Sequence, residues 1–492
     1  MLILPAELLC AITSHLSNRD IKNVRLTNKR LRSSSILRFD RAFLSPSYKN
    51  IEVLRAIAAH PEFGNQVKEL VYDDARFVKY TIWRDGEVLH ELEDERRPMN
   101  EFLSKCEEIL NQVGGDVAGL VRARTGADPK PDEVLMEFDD NVALYQQLYE
   151  EQQEIIGQGL DIIALMDALL AFPALKKVTL TSEAHQLGIH APRYPTPLIR
   201  SFPPSFNYPA PWPWCGRFDD FNAISLKPWV EAKNCWRGFS LVLKELAHCE
   251  RRIPAFTIDV NWNHTGIAHQ FLVGRPPELV NLEKVCENLE RLDLAINIGR
   301  NDTFNGFRHL ASGPLRRALS KAIRLRRFSL HTSAHAREIK AFGDTMADDF
   351  VNSLRCIPLE IWPNLSHLTL SHFLILSENL LGFLCQLPPG ITSLTFVDIK
   401  VLDLQWSEIL EQFKTRLHYE GKKPHITIAQ WQEAASRKVW MRSEVARFLD
   451  GGDNPFVISP SGNEIRRGFG TVRDDFDESF EEPWGLDKRM HM

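Results

Sequence analysis

One short pattern, L-x-x-L-x-L, returns along this chain and limits its folds more than any other feature. It stands as "LKKVTL" (Leu175, Val178, Leu180), "LERLDL" (Leu289, Leu292, Leu294), "LRRFSL" (Leu325, Phe328, Leu330), "LSHLTL" (Leu365, Leu368, Leu370) and "ITSLTF" (Ile391, Leu394, Phe396). Weaker copies are "VKELVY" (Val67, Leu70, Tyr72) and "IPAFTI" (Ile253, Phe256, Ile258). The last two apolar positions of each copy are separated by one residue, the period of a half-buried strand. Helical stretches such as "LDIIALMDALLAFPA", "LRRALSKAIR" and "ENLLGFLCQLPPG" precede strong copies or lie between them, so each unit reads as helix, turn and strand. A lone unit cannot bury its apolar face, whereas stacked neighbours bury it for one another.

Strand plus helix per unit, stacked in series, resembles a leucine-rich-repeat domain. Copies starting at 289, 325, 365 and 391 are less evenly spaced than the about 20–29 residues usual there, and only Asn297 stands at the ladder-asparagine position. The expected fold class is α/β. An irregular leucine-rich-repeat-like solenoid covers residues 161–420, and residues 46–74 form a linker and a first degenerate repeat. An α/β fold that is not a solenoid is the alternative. The resemblance implies that the x positions of each strand face a concave side. That nominates Lys176, Lys177, Thr179, Glu290, Arg291, Asp293, Arg326, Arg327, Ser329, Ser366, His367 and Thr369 as substrate contacts.

Two insertions interrupt the units. Residues 75–160 are charged and mainly helical by pattern, with "NEFLSKCEEILNQV" and "VLMEFDDNVALYQQLYEEQQEII" as the helices. Residues 192–217, "PRYPTPLIRSFPPSFNYPAPWPWCGR", hold too much proline for a helix or a central strand. Its aromatics Tyr194, Phe202, Phe206, Tyr208, Trp212 and Trp214 suit a long ordered loop. Such a loop either recognises a ligand, with Trp212 and Trp214 as contacts, or covers an open end of the core. After residue 420 the pattern predicts a basic helix, "QWQEAASRKVWMRSEVARFL", and then a solvated acidic tail with six acids between Asp474 and Glu482.

The first 45 residues form a different unit. Pro5 suits a first helical turn, and Leu8, Leu9, Ile12 and Leu16 follow at helical spacing. Ser17 and Asp20 make a capping-box-like start to a second helix through Ile21 and Val24. A third helix is expected from a cap at Thr27, with Leu31, Leu37 and Phe43 as anchors and Pro46 as its end. Helices this short are marginal alone, so their stripes must be buried on something.

"LPAELLCAITSHLSNRDIKNVRLTNKRLRSSS" resembles an F-box, the three-helix module that docks substrate receptors onto the Skp adaptor of cullin-based (SCF) ubiquitin ligases. The matching positions are Leu4, Pro5, Leu8, Leu9, Ile12, Leu16, Asp20, Val24, Leu26, Lys29, Leu31 and Arg32, less than a tenth of the chain. Leu31 departs from the aromatic often found there. The resemblance implies adaptor contacts through Leu4, Pro5, Leu8, Leu9, Ile12, Leu16, Asp20, Val24, Leu26 and Leu31. Arg19, Lys22, Arg25, Lys29, Arg30, Arg32, Arg38 and Arg41 outnumber Asp20 and Asp40, which favours the acidic adaptor that the resemblance implies.

Composition excludes several classes. The chain has 492 residues, 44% of them hydrophobic, and a formal net charge of −6, which does not suit a surface given over to nucleic acid. No apolar run approaches the ~18 residues of a membrane span, and Glu7 and Pro5 break the N-terminal stretch as a signal peptide. Three Asn-x-Ser/Thr sites (Asn263, Asn301, Asn364) then read as chance. Eight cysteines stand singly without a CxxC pair, the pattern of reduced thiols in cytoplasm or nucleus.

A phosphate loop of Walker type, a G-x-S-x-G elbow, an H-E-x-x-H pair and an EF-hand loop are all missing from the sequence. His331 with His335, and His367 with His372, lack the further ligands that a metal site needs. The basic run "LRRALSKAIRLRR" lacks interleaved aromatics and reads as a solvated convex helix. The expectation is a non-catalytic receptor subunit of an SCF-type ligase, with no cofactor, metal, nucleic acid or membrane partner. It would bind the adaptor, and through it a cullin–RING ligase, at one end and a protein substrate on its repeats. A scaffold that binds the adaptor or other partners without delivering a substrate is the alternative class.

Overall fold

The computed structural model describes residues 4–79, 97–185, 191–209, 211, 229–260, 266–299, 303–334, 352–416, 423–432, 437–459, 462–466, 468–473 and 481–484. The chain is a mixed α/β protein built on one large, mostly parallel sheet. In chain order the strands are β1 (Arg41–Leu44), β2 (Glu69–Asp73), β3 (Lys177–Thr181), β4 (Ala255–Asp259), β5 (Ile267–Ala268) and β6 (Arg291–Asn297). Next come β7 (Arg327–Thr332), β8 (His367–Ser371), β9 (Leu374–Ile375), β10 (Ser393–Val397), β11 (Lys400–Val401) and β12 (His425–Gln432). The last are β13 (Arg437–Met441), β14 (Phe456–Ser459), β15 (Gly462–Ile465), β16 (Thr471–Arg473) and β17 (Glu481–Pro483). Thirteen of them join one sheet in the order β1-β2-β3-β4-β6-β7-β8-β10-β12-β13-β16-β17, with β5 beside β6. Pairing is parallel as far as β12 and antiparallel beyond it.

All seven copies of the repeated pattern end in strands of this sheet, and their register explains why. Ala42, Leu70, Val178, Phe256, Leu292, Phe328, Leu368, Leu394 and Ile426 are successive partners and form one buried row. A slip of one residue in any strand would turn its apolar set to the opposite face. The first apolar residue of each strong copy closes a turn. The N–H groups of Leu175, Leu289, Leu325, Leu365 and Ile391 donate to the carbonyls three residues earlier, at 3.0–3.2 Å. The carbonyls of Asp40, Lys68, Pro254, Glu290, Arg326 and Ser366 then each accept two successive N–H groups from the next strand.

Helices Tyr48–Ala59, Leu160–Ala171, Arg237–His248, Pro277–Cys286, Pro314–Leu319, Ser377–Leu384 and Trp406–Arg416 bury their apolar stripes in the same core as that row. Trp236, Trp362 and Trp406 are fully buried there, and their indole N–H groups donate to the carbonyls of Gly266, Leu319 and Ile399. Among the described residues no helix is long and apolar enough to cross a membrane.

Several local expectations fail. The third N-terminal helix ends at Ser34, not near Pro46, and its cap is Asn28, whose side chain accepts the Arg30 N–H at 2.8 Å. Phe43 lies on β1, because Ala42 and Leu44 pair with Leu70 and Tyr72 and close the sheet's first edge. Residues 430–449 are not one helix. Gln430–Gln432 belong to β12, Arg437–Met441 form β13, and only Ser443–Leu449 is helical. The buried pair Val439 and Met441 has a period of two, and β12 offers it an edge. Of the tail, Glu481–Pro483 pairs with β16, whereas 474–480 lie outside the described residues.

The inserted residues build a cover. Helices Arg97–Gln112 and Phe138–Gln158 meet residues 198–208 around Phe77, Phe102, Cys106, Tyr145, Leu148, Leu198, Phe206 and Tyr208, a cluster separate from the main core. Tyr194 packs with Val71 and Ala184 on the sheet face opposite the main core, and its hydroxyl donates to Asp259. The first half of the proline-rich segment is therefore a covering loop. Trp212 and Trp214 lie outside the described residues.

Beside this cover the sheet buries charge. Asp161 accepts from the Tyr72 hydroxyl at 2.5 Å and from both terminal nitrogens of Arg237 at 2.6 and 3.0 Å. Burial alone would raise its pKa, yet these hydrogen bonds and the Arg237 charge hold it below the ordinary value. Asp73, also buried, accepts the Ala75 N–H, and its other oxygen lies 3.7 Å from His185 Nε2. Burial pushes Asp73 up to about 7 and His185 down to about 3.

A carboxyl whose folded pKa exceeds its unfolded value binds protons more tightly in the folded state, so stability falls as pH rises between the two values. We expect Asp73→Asn, which keeps an acceptor for Ala75, to match the parent near pH 4 and to exceed it increasingly up to pH ~7, by on the order of 1 kcal/mol per pH unit at most. Urea unfolding across that range measures it, and parallel pH profiles for the two proteins would contradict the assignment.

Candidate docking surface and open sheet face

The N-terminal helices α1 (Ala6–Thr13), α2 (Asn18–Thr27) and α3 (Lys29–Ser34) form a small unit of their own. Ser17 caps α2 by accepting the Asp20 N–H at 3.2 Å, and its hydroxyl donates to the Asp20 carboxylate at 2.6 Å. Leu9, Ile21 and Leu31 are buried inside the unit and are not part of the main core. Arginines tie it together: Arg25 donates to the Ser35 carbonyl, Arg30 to that of Leu4 at 2.7 Å, and Arg38 to those of Ser14 and Leu16.

What remains outside is apolar and basic. Leu8 is 51% exposed, Ile12 43% and Leu26 86%, and Pro5 is exposed beside them in sequence. Leu4, Leu16 and Val24 are half-buried, and Asp20 serves as the capping partner. The expected adaptor contacts thus divide into an internal set (Leu9, Leu31) and an external set (Pro5, Leu8, Ile12, Leu26). Arg19, Lys22, Lys29 and Arg32 are exposed and make no ion pair among the described residues, whereas Arg41 pairs with Glu69 at 2.6 Å.

The sheet face away from the main core carries the other strand positions. In register across it run Val71, Thr179, Thr257, Asp293, Ser329, Thr369, Thr395 and Thr427, beside a second row of Glu69, Lys177, Ala255, Arg291, Arg327, His367, Ser393 and His425. Over β2 and β3 this face is closed. Thr179 is fully buried and its hydroxyl donates to Glu69 at 2.6 Å, so it is not available as a substrate contact. Lys177 is held 3.0 Å from the same carboxylate, itself kept below its usual pKa against its burial by Thr179 and Lys177. From β6 onward the positions open. Arg327 is exposed, and Arg291, Asp293, Ser329, His367 and Thr369 are half-buried, with Arg291 spent on Asp293 at 2.8 Å. Lys176, Glu290, Arg326 and Ser366 stand one residue before the strands, at their entrances, and Glu290 is paired with Arg252 at 2.7 Å.

A polar chain at the far end of these strands escaped the sequence reading. Ser371 Oγ lies 3.0 Å from His331 Nδ1 and 2.7 Å from His372 Nδ1, and His372 Nε2 lies 3.4 Å from Asp398 Oδ2. His372 and Asp398 follow β8 and β10 at equivalent places, both with positive φ (58° and 48°), and their N–H groups donate to Val397 and Ala429. The chain clasps neighbouring units. Ser371 is buried and shared between two imidazoles, an arrangement that locks a turn and leaves no exposed nucleophile. Asn297 does similar work, accepting from Gly299 N–H and Ser333 Oγ. No group of three or more potential metal ligands is arranged for a metal ion among the described residues.

Neither a protein-family model nor a curated protein matches this chain. The division of the helical unit is testable by itself. Leu9→Ala or Ile21→Ala should cost about 2–5 kcal/mol by leaving cavities. Leu8→Ala and Leu26→Ala should stay within about 0.5 kcal/mol. Hydrogen exchange of the α1–α3 amides reads both, and equal effects from the two sets would show that Leu8 and Leu26 are core residues.

Proposed function

We propose that this protein is a substrate receptor of an SCF-type ubiquitin ligase, with α1–α3 acting as an F-box and the sheet with its helices as an irregular leucine-rich-repeat-like solenoid. The observation that carries the reading is the division just described. Leu9, Ile21 and Leu31 are buried between the three helices, whereas Leu8, Ile12 and Leu26 leave much of their apolar surface in solvent, and basic side chains flank them in sequence. Leu26 entering an apolar groove supplies up to about 1.5–3 kcal/mol, and Leu8 and Ile12, already half covered, about half of that each, before association costs are subtracted. Arg19, Lys22, Lys29 and Arg32 favour an acidic partner and add rate and specificity more than affinity.

In this role the chain performs no bond chemistry. Its F-box holds a Skp-type adaptor, and the adaptor a cullin–RING ligase. The face from β6 onward holds a protein substrate near a separate conjugating enzyme, which makes the transfer effectively intramolecular. Cytoplasm and nucleus are the compartments where that machinery works.

The triple variant Leu8→Ala/Ile12→Ala/Leu26→Ala should bind the adaptor at least ~100-fold more weakly while its thermal unfolding is unchanged. Binding of the full chain to a purified Skp adaptor by calorimetry measures this. Adaptor binding undiminished in the triple variant, or absent in the parent, ends the proposal.

A further inference from the structure

The basic run 315–327 divides in the fold. Arg316 and Arg317 lie on the helix Pro314–Leu319 and are paired, with Glu360 and, at 2.8 Å, with Glu283. Lys321, Arg324, Arg326 and Arg327 occupy the turn into β7 and its entrance. All four are exposed, and none makes an ion pair among the described residues. The carboxylates of adjoining units are already taken: Glu290 by Arg252, and Asp293 by Arg291. Ile323, in the middle of the run, is 58% exposed.

The backbone under this cluster is rigid. Leu325 N–H closes the turn onto Ala322, and the Arg326 carbonyl accepts both Ser366 and His367 N–H groups. Four like charges between positions 321 and 327 repel one another, which an anionic partner relieves.

We propose that the turn into β7 is a docking site for an acidic peptide segment bearing one apolar side chain, with Lys321, Arg324, Arg326 and Arg327 receiving its carboxylates and Ile323 its apolar group. This names a substrate class for the receptor reading and rests on that reading for the peptide's role as substrate. A peptide fits better than nucleic acid, since no aromatic side chain stands among the cations for bases to stack on. It fits better than a lipid surface, since membrane attachment scales with buried apolar area and one Ile side chain offers little. The open strand positions alongside carry Ser329, Thr369 and His367, groups able to hydrogen-bond a peptide backbone. Burial and the neighbouring Arg327 guanidinium hold the His367 imidazole below its ordinary pKa, so it reports on charge arriving at the site.

The test uses the full chain and a short fluorescent peptide of Glu and Asp with one central Leu, followed by anisotropy. Binding should weaken steeply with added salt. It should fall at least ~10-fold in Arg324→Glu/Arg326→Glu/Arg327→Glu and less, but measurably, in Ile323→Ser or when the peptide's Leu becomes Gln. In the parent, the peptide should raise the His367 pKa by NMR titration. Unchanged melting of the variants shows that the fold is intact. Binding that ignores the arginine reversals or the apolar residue overturns the proposal. So does tighter binding of a single-stranded oligonucleotide or of phosphatidylserine vesicles through the same arginines. The Leu8→Ala/Ile12→Ala/Leu26→Ala variant should bind the peptide as the parent does. Peptide binding without adaptor binding in the parent would therefore remove the receptor role and leave the site.

Discussion

The structure depends on one repeated backbone interaction, the forked acceptance of two successive N–H groups by a single carbonyl at the entrance of a strand. Asp40, Lys68, Pro254, Glu290, Arg326 and Ser366 supply these carbonyls. Each fork sets the height at which the next strand begins, and single hydrogen bonds from Ala255 to Lys176 and from His425 to Thr392 do so at the β3–β4 and β10–β12 junctions, so the units inherit their register from the one before. The apolar row from Ala42 to Ile426 is the result, and a sheet this long without a register shift follows from it. Each unit chiefly meets its neighbours, so cooperativity passes along the stack through nearest-neighbour interfaces. The buried tryptophans Trp236, Trp362 and Trp406 each reach a carbonyl outside their own helix, joining segments that the sheet alone would not tie.

A register fixed in this way also fixes a second surface. Once alternate side chains enter the core, those between them must line the opposite face. What happens there differs along the stack. Over β2 and β3 the Tyr194 loop packs on it, and the polar groups there are paired or neutral: Thr179 on Glu69, and an un-ionised His185 beside Asp73. From β6 onward the same positions reach solvent, and any partner of this face must be read there.

Much of this was legible in the sequence because it is local. The period of two in "LERLDL" or "LSHLTL", the helix ahead of it and the Ser17–Asp20 cap depend on residues within a few positions of one another. The misreadings share a physical cause. Phe43 is expected in a helix and Val439 in another, and both are strand residues: β2 offers an edge to the first, and the second lies between β12 and β16. Thr179 looks like an open contact until a loop some fifteen residues on covers it. His372 and Asp398 gave one usable signal, equivalent places after two successive strands, but their positive φ and mutual approach exist only once the units are stacked. Pairing and packing, not propensity, decided each of these positions.

The helical unit at the N-terminus differs from the stack in how it spends its apolar residues. In the sheet and its helices most large apolar side chains of a unit are consumed by neighbours, with Ile163, Met166 and Leu170 on the helix Leu160–Ala171 as exposed exceptions. In α1–α3 an internal set is buried between the helices, while Leu26 stays in water and Leu8 and Ile12 keep about half their surface there. Keeping such side chains exposed gives the folded chain no stability and raises its tendency to associate. A surface of that kind is best explained by a partner that covers it. The same reasoning applies in charge at the turn into β7, where four cations share one rigid turn while neighbouring carboxylates are committed elsewhere. One surface is unsatisfied in hydrophobic contact and the other in charge. They lie on separate elements, α1–α2 for the first and the turn into β7 for the second, so the two proposed partners would not compete for the same residues.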